Sequence, residues 1–83
     1  MPIAPYDPSV SAARADALFA SPLQRSDEPS ARQVRQAIAT ALAAYGVPGC
    51  AARVAQDYGE HPDAAASRMR WARQLAQTAE GRR

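Results

Sequence analysis

AARVAQDYGEHPDAAASRMRWAR, running from Ala51 to Arg73, is the stretch whose reading decides this chain. Val54, Ala55 and Tyr58 fall on one side of a helix, with Ala51 one turn before Val54. Gly59 follows, where a helix end favours a residue with no Cβ to clash. A second helix is expected from about Pro62, whose missing N–H is tolerated in a first turn, with His61 or Asp63 as its cap. Ala65, Met69, Ala72, Ala76 and Ala79 then recur at helical period and form one apolar stripe. A small residue, Ala55, for a second helix to approach and Gly59 at the bend together describe a helix-turn-helix-like hairpin.

On these residues the string from Val54 to Arg73 resembles region four of the extracytoplasmic-function sigma factors. Val54, Ala55, Gly59, Ser67, Arg68, Met69, Ala72 and Arg73 stand without a gap at the places of that family's helix start, glycine turn and recognition helix. The resemblance implies a helix laid in the major groove of DNA, with Ser67, Arg68 and Arg73 near the nucleic acid. Arg70, Ser67, Gln74 and Gln77 share the outward face of the same helix and could touch phosphates or be merely solvated. The chain departs from the family at Glu60, where a small apolar residue plugs the turn, and at Asp63, Ala64 and Ala66, which replace Gly, Thr and Lys. Alanine cannot make the bidentate hydrogen bonds that read base edges. The whole chain also loosely resembles small uncharacterised helical proteins of actinobacteria, a likeness that implies no activity.

Upstream, Ser30-Ala31-Arg32-Gln33 is a capping box and opens the core helix. Val34, Ala37, Ile38, Ala41, Leu42 and Tyr45 follow at three- and four-residue steps, and Gly46 ends the run. Val47-Pro48-Gly49 is expected to turn the chain into the helix that ends at Tyr58. Asp7-Pro8 looks like a helix start, and a helix from there to about Ala20 places Val10, Ala13, Ala17 and Leu18 on one face, with Phe19 beside it. Ser21-Pro22 stops it. Leu18, Phe19 and Leu23, set around that proline, either tuck onto the core or form a docking element for another protein. Trp71 lies with Ala64, Arg68 and Leu75 on a flank of the last helix, where it closes the edge of a small core or anchors an interface.

Eighty-three residues support one domain. Alanine makes up about a quarter of them and every basic residue is arginine, so helices are favoured but large apolar side chains are few. Dimerisation or a partner would relieve so thin a core. The net charge of +2 is unevenly placed. Asp7, Asp16, Asp27 and Glu28 outnumber Arg14 and Arg25 before Ser30, whereas Arg68, Arg70, Arg73, Arg82 and Arg83 face only Glu80 after Ala64. Cys50 is alone, which excludes an internal disulfide and points to a reduced, cytoplasmic setting. No signal peptide is expected, and no apolar stretch approaching the roughly 20 residues of a membrane span. His61 is the only histidine, and neither metal spacing, a phosphate loop nor paired catalytic carboxylates occur, so neither catalysis nor a cofactor is expected.

The expected fold is all-α, a small four-helix domain with a helix-turn-helix-like C-terminal half. Its parts are an extended arm over 1–7, one helical domain over 8–80 with helices near 8–20, 31–45, 49–58 and 62–79, and a frayed tail over 81–83. The leading function is DNA binding in transcription regulation, through Ser67, Arg68, Arg70, Arg73 and Gln74. The alternative is a protein-interaction module, a helical dimer or an adaptor, using Leu18, Phe19, Leu23, Trp71 and Leu75. Partners are then DNA, a protein or a second copy, and no membrane.

Overall fold

Ser30 opens the longest element as expected. Its hydroxyl accepts from the Gln33 N–H at 3.1 Å, and the Gln33 carboxamide oxygen accepts from the Ser30 N–H at 2.8 Å. The computed structural model describes residues 8–80. Three α-helices make up these residues: α1 (Pro8–Ala20), α2 (Ala31–Glu60) and α3 (Pro62–Glu80), with a 3-10 turn over Arg25–Asp27 between the first two. Each helix packs on the other two. The expected arm over 1–7 and tail over 81–83 lie outside the described residues.

Four helices were expected and three are present among the described residues, because the turn proposed around Pro48 shrinks to one residue. Gly46 has φ 71° and ψ 169°, a bend inside α2 rather than an end to it. Pro48 then falls within the first turn after the bend, where its missing N–H leaves no helical bond unmade. Gly49 is needed for a different reason: a Cβ there would sit 2.9 Å from the Cβ of Tyr45. At Gly46 an added Cβ would meet only Pro48 Cδ, at an ordinary 3.6 Å, so any cost is in the backbone. That backbone region is essentially glycine-only and costs other residues about 1–3 kcal/mol. Gly46→Ala is therefore expected to lower the thermal midpoint by roughly 5–15 °C, measured by circular dichroism. An unchanged midpoint would contradict the bend.

The bend also resets which side of α2 faces inward. Before it, Val34, Ile38 and Ala41 are buried and Ala37 and Leu42 half-buried, as the periodicity predicts, but Tyr45, the last of that run, is 40% exposed. After it the inward residues are Cys50, Val54 and Asp57, whereas Ala51, Ala55 and Tyr58 are exposed. Ala55 is thus not the place where another helix approaches. Gly59 is helical, and α2 ends only at His61, whose N–H donates to the Asp57 carbonyl at 2.7 Å. The His61 carbonyl in turn accepts from the Ala65 N–H at 2.8 Å, so this one residue closes α2 and starts α3.

The α3 stripe lies where expected: Ala65, Met69, Ala72, Ala76 and Ala79 are all buried. In α1 the buried residues are Ala15, Ala17, Leu18 and Phe19, whereas Val10 is 49% exposed. The Ser21 hydroxyl caps α1 by donating to the Leu18 carbonyl at 2.6 Å. One further expectation needs correcting. α2 carries an 18-residue window of mean hydropathy 1.3 and is long and apolar enough, by length and composition alone, to cross a membrane. Scattered alanines, each weakly apolar, produce that value without any conspicuous run of large residues.

Candidate functional site

Arg68 holds the molecule together at the end of α1. A helix C-terminus leaves carbonyls without partners and favours a nearby cation. The Arg68 guanidinium supplies both needs: Nε donates to the Phe19 carbonyl at 2.9 Å, and Nη2 donates to those of Ser21 at 2.8 Å and Leu23 at 2.9 Å. It also lies 5.6 Å from the centre of the Phe19 ring and 5.0 Å from that of Trp71. Burial pushes its pKa down from the usual guanidinium range, and Asp57 works in the opposite direction. Nearby, Arg25 reaches from the 3-10 turn to the Ser67 carbonyl at 3.4 Å and its hydroxyl at 3.3 Å.

These bonds divide the five residues expected at nucleic acid. Arg70, Arg73 and Gln74 are exposed on the outer side of α3, together with Gln77 and Asp63. Arg68 points inward as a clasp and Ser67 is half-buried under Arg25, so neither belongs to that outer set. The sequence set Arg68 on a flank with Trp71 but could not show what it binds, because its carbonyl partners lie more than forty residues away in the chain. Burial pushes the Asp16 carboxyl above its ordinary pKa, and the charge of Arg73 works in the opposite direction.

The proposed interface residues divide too. Leu18, Phe19 and Trp71 are buried in the core, and Phe19 stacks on Tyr58 with ring centres 6.4 Å apart. They are packing residues, because α2 and α3 cover the side of α1 that the docking reading left open. Leu75 is half-buried against the same core. Leu23 borders an open groove of about 370 Å³ between Ala20–Leu23 and the first half of α2. Ala37, Ala41, Ala44 and Tyr45 line its other wall, together with the polar Gln33, Gln36 and Thr40.

The sequence reading missed the outside of α2. Ala39, Ala43, Ala44, Tyr45, Val47, Pro48, Ala51, Ala52 and Ala55 are all exposed, interrupted by Thr40 and Arg53. Arg53 lies flat on Tyr45, 3.8 Å from the ring centre. Val47 is 52% exposed. The available signal was the exposed alanine content, which was read as helix propensity and not as surface.

A second cleft, of about 410 Å³, lies between the end of α1 and the last turns of α2, with Phe19, Gln24, Arg53, Asp57, Glu60 and Arg68 on its walls. Both of its guanidiniums are engaged, one on Tyr45 and one on the α1 carbonyls. Cys50 is fully buried, and its pKa is pushed up by burial and by the charge of Asp16, with Arg53 opposing, so its reactive thiolate form is disfavoured. His61 is exposed three helical turns further on, which keeps it from acting as a base for that thiol. Among the described residues, no three His, Cys, Asp or Glu side chains gather to hold a metal ion. No family model, curated protein or solved structure matches the chain.

Proposed function

We propose that this chain is a protein-interaction module whose contact surface is the outer side of α2, extended by the groove at Leu23. One observation carries the reading. Of the 18-residue apolar window in α2, the fold buries only 17%. The exposed residues of α2 include Ala43, Val47, Pro48, Ala51 and Ala55, and contiguous exposed apolar surface marks a site of association. Lipid is a poor match for the surface. It could not surround α2 while Val34, Ile38 and Cys50 stay packed against α1 and α3. The bend at Gly46 and Pro48 would also leave backbone polar groups facing hydrocarbon.

The test is a photo-crosslinking residue placed at Ala51 in cells that make the protein, compared with the same residue at Gln77 on the outer side of α3. Discrete products are expected from position 51 and none from position 77. Their absence at 51 would remove the proposal.

A second reading, DNA binding through α3, is favoured by the shared exposure of Arg70, Arg73, Gln74 and Gln77. With Arg68 withdrawn and Asp63 at the helix start, two arginines on α3 remain for phosphate among the described residues, so binding would be weak and only modestly salt-dependent. Titration of duplex DNA into the labelled protein at about 50 mM salt, where phosphate contacts are strong, decides it. Arg70→Ala with Arg73→Ala should abolish the signal, and no signal in the parent chain discards the reading.

A further inference from the structure

We infer that the occupant of the α2 surface is a second copy of the same chain, lying antiparallel to the first. This rests on the interaction reading above and names its partner. Both ends of α2 carry charges of the sign that its own dipole disfavours. Its first turn holds no acid and its last turn no base. Instead Arg32 and Arg35 stand at the positive end, and Asp57 and Glu60 at the negative end.

Two of these four are used within the chain. Arg35 donates to the Ala79 carbonyl at 3.5 Å, and Asp57 acts on Arg68. Arg32 and Glu60 are exposed, and Glu60 accepts from a neutral neighbour, Gln56, at 3.3 Å. Between the ends, from Ala39 to Ala55, the exposed residues are apolar apart from Thr40 and an Arg53 already held by Tyr45, with the neutral Gln33, Gln36 and Gln56 flanking that stretch.

A helix that starts basic, ends acidic and is mostly apolar over its middle turns is complementary to itself when reversed. Antiparallel pairing sets Arg32 beside Glu60 of the other copy at both ends and opposes the two helix dipoles. Parallel pairing would set like charges together. Arg32 and Glu60 are each fourteen residues from Gly46, so a two-fold axis would pass through the bend and keep the two bends opposite one another. Such an axis uses the same patch on both copies and closes the assembly at two. The small exposed alanines let the two helices approach closely, and Val47 and Pro48 supply bulk near the axis.

The experiment is sedimentation equilibrium on the full chain from about 1 to 300 µM, with the crosslink at position 51 repeated on purified protein. A dimer is expected, and the crosslinked product should have twice the chain mass. Ala43→Arg near the axis should give a folded monomer at every concentration. Arg32→Glu and Glu60→Arg should each weaken the dimer by about tenfold, because every substitution occurs at both ends. The double variant should recover most of the loss.

A monomer at 300 µM overturns the inference, as does a double variant no tighter than the singles. If that monomer still crosslinks in cells to a different protein, the interaction reading stands and only the partner was misidentified. If it crosslinks to nothing, both fail. Flotation of the monomer with neutral phosphatidylcholine vesicles would also overturn both.

Discussion

Arg68→Ala is expected to destabilise the protein by about 2–4 kcal/mol. Three carbonyls lose a charged donor together, at bonds of 2.8–2.9 Å. A hydrogen bond to a charged group contributes about 1.5–3 kcal/mol, but water can reach part of this half-buried site, so the three do not simply add. The rings of Phe19 and Trp71 also lose the cation lying near them. For a domain of this size the thermal midpoint should fall by roughly 10–25 °C. Arg68→Lys should recover less than half, since one ammonium cannot span three carbonyls as a planar fork does. If Arg68 were instead a surface contact for phosphate, alanine would change stability by less than about 0.5 kcal/mol. Thermal unfolding of the two variants separates these cases without any ligand.

Leu18→Ala is expected to cost about 2–5 kcal/mol, as for other fully enclosed leucines. Leu18 is 0% exposed, among Ala17, Phe19 and the apolar sides of α2 and α3. A docking residue would behave in the opposite way, with stability unchanged and partner affinity reduced. Urea unfolding at constant m-value reads the difference directly. Leu23→Ala supplies the contrast. That side chain is only half-buried and borders the groove, so its cost should be well under half that of Leu18. Equal costs at the two positions would mean that Leu23 belongs to the core and that the groove is not a docking surface.

What could be read from the sequence followed from local rules. The Ser30–Gln33 box, the stop at Ser21-Pro22 and the α3 stripe each depend on residues a few positions apart, and all three hold. What could not be read depends on distance or on one unusual backbone angle. Gly46 was recognised as a break, but its φ and ψ rotate everything beyond it, so Cys50 and Val54 replace Ala51 and Ala55 as the inward face. That rotation undoes the positions assigned to Ala55 and Gly59 in the helix-turn-helix reading. Arg68 differs from Arg70 and Arg73 in facing the carbonyls at and just beyond the end of α1. A periodic pattern can say that an arginine lies on a flank, but not that three carbonyls wait there. The same limit hid the α2 surface, because an alanine looks alike inside and outside a helix bundle.

His61 has a consequence for how this chain tolerates changes of length. As the single residue between two long helices, it hands the rotational phase of α2 directly to α3. Each residue turns a helix by about 100°, so one insertion at the joint would swing Met69 and Ala72 away from their neighbours and bring polar side chains round in their place. The joint therefore accepts substitution far more readily than insertion, and the spacing from Cys50 to Ala65 works as a fixed gauge for the entire bundle.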